Sequence, residues 1–143
     1  PLSELGYEPW DDKLNSEYLK SKYKNKKLPI KTVLLDQSII VGIGNIYDDE
    51  ILFLSKINPY KKASELTDIE LNNIIINTKI VLEKAIKLGG TTIKTYTSSE
   101  GVHGRFQNEL LVHTKEVCPI CNKKLNVEKI NGRRTYYCEN WQK

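Results

Sequence analysis

The sequence predicts a mostly helical body carrying a small β appendage at its C-terminal end. Three observations carry that reading. Thr67-Asp68-Ile69-Glu70 has capping-box form. It precedes Leu71, Ile74, Ile75, Thr78, Val81, Leu82, Ala85 and Ile86, which fall on one helical face. In SIIVGIGNIYDDEILFLSKINP a glycine turn separates two helical patterns. Asn131-Gly132, between Lys124–Ile130 and Arg133–Cys138, is the signal of a tight hairpin turn.

In chain order, LGYEPWDD reads as a loop broken by Pro9. Residues 16–24 read as a short helix capped by Asn15 or Ser16. Pro29 suits the start of a helix over residues 30–36, where its missing N–H costs little. Gly42 and Gly44 bracket a turn, and Asn45 stands at an N-cap position before Ile46, Tyr47, Glu50, Ile51 and Leu54. Asn58-Pro59 ends that helix, and Gly89-Gly90 ends the long one. TTIKTYTSSEGVHGRFQ reads as a long loop, and residues 106–113 as a strand.

Composition narrows the class. Apolar residues are 39% and charged residues 28% of the 143, which fits a globular chain without a membrane span. The start PLSELGYEPW lacks the basic and apolar segments of a signal peptide, so a cytoplasmic monomer is expected. Val102 to Lys143 holds eight Lys/Arg against four Asp/Glu, which accounts for the whole net charge of +4. Lys20 to Lys31 holds six lysines and no acid. Two basic clusters suit an anion-binding face or a solvated surface.

Cys118-x-x-Cys121 and Cys138, with 16 residues between the last two, have zinc-ribbon spacing. Trp141 stands where the fourth ligand belongs, and indole offers only a donor N–H. The expected site is zinc on Cys118, Cys121 and Cys138, completed by water, Glu139 or the terminal carboxylate of Lys143. The alternative is a ribbon of three reduced thiols held by packing. Gly42-Ile43-Gly44-Asn45 leading into a helix presents backbone N–H groups that suit a phosphate, or is simply a turn. His103 and His113 have no partners at ligand spacing and are expected to be structural or exposed.

Together, Leu34-Leu35-Asp36-Gln37, Gly42-Ile43-Gly44-Asn45-Ile46-Tyr47, Gly89-Gly90-Thr91-Thr92, Thr95-Tyr96, Gly101-x-x-Gly104-x-Phe106-Gln107, Cys118-Pro119-x-Cys121 and Arg133-x-Thr135-x-Tyr137-Cys138 resemble one family. They look like the C-terminal half of formamidopyrimidine-DNA glycosylase, with endonuclease VIII as its relative. The resemblance runs from Leu5 to Lys143. It implies a helix–two-turn–helix domain over 14–113, a zinc-ribbon hairpin over 114–143, and an interdomain linker remnant over 1–13. The partner it implies is damaged double-stranded DNA. Asn45 would contact a phosphate, Lys31 would lie close to the DNA, and Arg133 at the hairpin tip would hold phosphates beside an everted nucleotide. The loop 91–106, with Thr92, Lys94, Thr95, Tyr96, Gly101 and Gly104, resembles the segment that closes over a lesion base.

The family's chemistry uses an N-terminal Pro-Glu pair: the proline amine attacks the sugar and the glutamate moves protons. Here Leu2 follows Pro1, and the opening residues resemble the interdomain segment, so Pro1 is not expected to be catalytic. The resemblance implies the DNA-binding part of a base-excision glycosylase and AP lyase for oxidised purines, inactive alone without its N-terminal catalytic domain. The alternatives are endonuclease VIII-type specificity for oxidised pyrimidines, a non-enzymatic zinc-ribbon interaction module, and a degenerate paralogue.

Overall fold

In a computed structural model, the structure describes residues 6–89 and 110–142. The helical body comprises α1 (Ser16–Tyr23), α2 (Ile30–Leu34), α3 (Asn45–Leu54) and α4 (Asp68–Gly89), with a short 3-10 turn at Ala63–Glu65. The appendage is an antiparallel hairpin of β1 (Asn126–Ile130) and β2 (Arg133–Tyr137).

Local chemistry starts and stops these elements. Asn15 Oδ1 accepts from the Tyr18 N–H at 2.9 Å and caps α1. Ahead of α4 the capping box closes in both directions: Glu70 Oε1 accepts from Thr67 N–H at 2.9 Å, and Thr67 Oγ1 from Glu70 N–H at 3.1 Å. Between α2 and α3, Gln37 staples the double turn. Its Nε2 donates to the carbonyls of Leu35 and Ile43, and its Oε1 accepts from Gly42 N–H. Gly42 has φ +95°, a conformation that favours glycine. The hairpin turn has φ 52° at Asn131 and 84° at Gly132, as a type I′ turn requires.

Leu19, Tyr23, Ile30, Leu34, Ile51, Leu52, Leu71 and Ile74 form one core between the four helices. A second, smaller cluster of Phe53, Val112, Cys118, Leu125 and Cys138 sits beneath the hairpin. Gly6 and Tyr7 are pinned to the double turn. Gly6 N–H donates to Gln37 O at 2.8 Å, and Tyr7 bridges Ile40 in parallel.

Three expectations need correction. The residues from Leu110 to His113 form a bend and turn, not a strand, because three of their N–H groups are taken by a side chain of α3; residues 106–109 lie outside the described residues. Gly44, not Asn45, occupies the N-cap of α3. The first strand is shorter than residues 124–130, because Leu125 N–H turns back to Glu116 O. The loop over 91–106, with Thr92, Lys94, Thr95, Tyr96, Gly101, His103 and Gly104, lies outside the described residues, as does Pro1.

A Cβ on Gly6 would sit 2.1 Å from the backbone oxygen of Ile39, which cannot move without breaking the bridge at Ile40. Gly6→Ala is expected to destabilise the chain by about 1–3 kcal/mol in urea unfolding. Unchanged stability would contradict this close approach.

Candidate nucleic-acid interface

The double turn and the hairpin tip meet on one side of the molecule. Asn45, the first residue of α3, directs its side-chain amide away from its own helix and donates to the Arg134 carbonyl at 3.0 Å. Gly44 and Gly42 beside it are exposed, and no side chain of the described residues crowds Gly44. The start of α3 therefore opens to solvent with its positive dipole end next to exposed Arg133 and Arg134. Asn45 and Arg133, 88 positions apart in sequence, border one surface.

Lys31 does not join them. Its side chain is 0% exposed and its Nζ lies 2.6 Å from Asp49 Oδ1. The expectation of Lys31 close to DNA thus gives way to an internal role: a long stem inside the core carries its charge to a buried carboxylate.

Asp49 is the centre of a network that sequence reasoning missed. Its second oxygen, Oδ2, lies 2.7 Å from His113 Nδ1 and accepts from Tyr136 N–H at 3.2 Å. His113 also meets the Tyr136 ring edge-on, with centroids 5.0 Å apart. His113 is thus structural, as expected, with Asp49 as its partner. The neighbouring Glu50 accepts from the N–H groups of Leu111, Val112 and His113 at 2.7, 2.8 and 3.0 Å. One signal was available: three consecutive acids, Asp48-Asp49-Glu50, inside an apolar helix, with Glu50 on the apolar stripe.

Asp48 is fully buried, and neither carboxylate oxygen has a hydrogen-bond partner among the described residues. Burial pushes its carboxyl well above the ordinary carboxylate range; Lys31 pulls it down and Asp49 pushes it further up. Burial and the charge of Asp48 likewise push the Tyr23 hydroxyl up.

The base of the hairpin is a second site. Cys118, Cys121 and Cys138 bring their sulfurs within 4.8 Å of one another, with Cys121 and Cys138 at 3.3 Å. Asn122, at φ 63°, turns the first knuckle so that Cys118 N–H donates to Lys123 O. The second knuckle is tied by Gln142, whose Oε1 accepts from Cys138 N–H and whose Nε2 donates to Ile57 O. Backbone N–H at Lys123 and the Cys138 thiol hold Cys121 down to about 7, while burial pushes Cys138 up to about 11. Three convergent sulfurs on two knuckles are a donor set for a soft or borderline metal ion. Trp141 is not a ligand: its Nε1–H donates to Phe53 O at 3.1 Å.

Against known proteins, the family model described as the formamidopyrimidine-DNA glycosylase H2TH domain matches residues 5–97. A formamidopyrimidine-DNA glycosylase of Rickettsia bellii is 43% identical over 144 residues, covering 99% of this chain and 53% of that protein. One from Bacillus cereus is 45% identical over 140 residues, covering 96% of this chain and 51% of that protein. A Lactococcus lactis Fpg solved with abasic-site DNA superposes with a TM-score of 0.85 at 36% identity, covering 99% of this chain and 53% of that one. A helical body with a double turn and a two-knuckle hairpin thus places the chain in a class of helix–two-turn–helix proteins. Within that class, the chain belongs to the formamidopyrimidine-DNA glycosylase family. It spans about half the length of the relatives it matches.

Two outcomes test the buried network. Glu50→Gln replaces one acceptor oxygen with an N–H₂ group facing backbone donors. It should cost about 2–3 kcal/mol in urea unfolding and speed amide exchange at Leu111, Val112 and His113. Asp48 concerns pH. Its folded-state affinity for a proton exceeds that of the unfolded chain, so its stabilising contribution is complete below the ordinary carboxylate pKa. That contribution is lost as pH climbs through the raised value. Asp48→Asn removes the titration and should lose less stability than the parent as pH rises above the ordinary carboxylate range. Parallel curves would show that Asp48 does not titrate there.

Proposed function

We propose that this chain is the DNA-gripping part of a base-excision glycosylase with AP-lyase activity toward oxidised purines. The observation that carries the reading is the Asn45-to-Arg134 hydrogen bond, which fastens the open N-terminus of α3 to the arginine-bearing hairpin tip. A helix N-terminus and a guanidinium fork are both phosphate binders, and here they share one edge. The L. lactis relative, bound to abasic-site DNA, supports duplex DNA as the partner. Asn45 and Arg133 are assigned to backbone phosphates flanking a damaged nucleotide. Thr92, Lys94, Thr95, Tyr96, Gly101 and Gly104 are assigned to the lesion base. Lys31 acts indirectly, by fixing Asp49 and so the seat of the hairpin.

The metal assigned to Cys118, Cys121 and Cys138 is zinc. Bound there, it supplies a structural crosslink between the two knuckles rather than a reactive water. The chain's residues position and neutralise phosphates; base release and strand cleavage fall to the Pro-Glu pair of the family's other half. No described helix is long and apolar enough to cross a membrane.

Binding to an abasic-site duplex should weaken steeply with added salt. Arg133→Ala should weaken it about 10-fold or more and flatten the salt slope by about one unit. Both are read by fluorescence anisotropy across a salt series. Equal affinity of Arg133→Ala and parent for the abasic duplex would remove the hairpin tip from the interface.

A further inference from the structure

Trp141 stands where a fourth thiolate would complete the ribbon, and the fold commits that side chain elsewhere. Its N–H is spent on Phe53 O, its ring packs on Phe53 with centroids 6.1 Å apart, and the Lys56 ammonium lies 4.2 Å from the ring centroid. The turn that carries it is held at both ends, because Trp141 N–H and Gln142 N–H donate to Cys138 O while Gln142 reaches Ile57 O. These bonds hold the Trp141 and Gln142 side chains away from the missing corner. Among the described residues, the clustered metal-ligand side chains here are the three cysteines.

A surface cavity of about 170 Å³ opens beside one of the three, Cys138, and is lined also by Lys123, Lys124, Asn126, Glu139 and Asn140. Both lysines are exposed at its edge. A divalent ion on three thiolates carries one net negative charge. A further thiolate bearing a carboxylate adds two more; the two ammonium groups, less the single carboxylate of Glu139, offset one of them and place positive charge where the incoming carboxylate would sit.

We propose that Cys118, Cys121 and Cys138 form a metal site open at one corner, and that the corner takes the sulfur of a small anionic thiol seated between Lys123 and Lys124. The inference rests on the metal reading of the ribbon and not on duplex binding. The step is a ligand exchange. The incoming S–H releases its proton to solvent, its sulfur bonds to the ion, and a water leaves, with no change of oxidation state.

The test uses the full chain with Co(II) as spectroscopic probe, titrated with mercaptoacetate and, separately, with neutral mercaptoethanol. The expected result is a saturable rise and shift of the cobalt visible bands, with mercaptoacetate binding several-fold more tightly than mercaptoethanol. Lys123→Gln and Lys124→Gln should erase that preference without preventing cobalt uptake. Trp141→Cys should bind cobalt more tightly and no longer respond to thiol. Failure of the chain to take up cobalt would overturn the metal reading and this proposal with it. Uptake without any response to thiol would overturn the open corner alone. A cobalt spectrum altered by Glu139→Gln would do the same, because a protein carboxylate would then fill the position. Each outcome is independent of DNA affinity, so the DNA-gripping reading stands or falls separately.

Discussion

The structure turns on one buried carboxylate. Asp49 holds Lys31 of α2 with one oxygen and, with the other, His113 of the connecting segment and the Tyr136 backbone of the hairpin. Four parts of the chain meet at this side chain, which is fully excluded from water. An ionised carboxylate in such a place is tolerated only when opposite charge and hydrogen bonds surround it, and Asp49 has both. Removing any partner leaves charge stranded in the core, so the arrangement tolerates few partial solutions. That stringency selects a single seating of the hairpin on the helical body. Hydrophobic contact alone would permit sliding between the two apolar clusters.

Glu50 extends the same logic along the chain. Its carboxylate gathers three successive N–H groups from Leu111, Val112 and His113, an arrangement resembling an anion nest built from backbone. This explains why a β-prone sequence does not pair as a strand. Its donors already have a charged acceptor, which is the stronger partner. The outer edge of the hairpin is held more lightly, by Glu128, which accepts from the hydroxyls of Tyr60 and Tyr137.

Much of the fold was legible in the sequence where local chemistry decides it. The capping box at Thr67 and Glu70, the apolar stripe of α4 and the Asn131-Gly132 turn each specify their element from neighbouring residues alone. The cysteine knuckles were equally legible, because ligand spacing is a local pattern. What stayed hidden depends on contacts between distant residues. Lys31 lies in a lysine-rich stretch and reads as surface; only the fold shows that its stem enters the core to meet Asp49. Asn45 has every local mark of a cap, yet its amide is drawn off by a carbonyl 89 positions away. His113 looked partnerless because its partner lies 64 residues earlier.

The hairpin's anchors have a common geometry. Asn45 bonds Arg134, Asp49 bonds Tyr136, the Phe53 carbonyl takes the Trp141 indole, and the Ile57 carbonyl takes the Gln142 amide. The positions 45, 49, 53 and 57 recur every fourth residue, so three lie along one ridge of α3 and the last just past its end. The finger is therefore geared to this helix like a key to its shaft. A single inserted or deleted residue within α3 would turn half of the teeth by about 100° relative to the rest. Length variation along this lineage should accordingly collect in the connecting loops, while the shaft itself keeps its residue count.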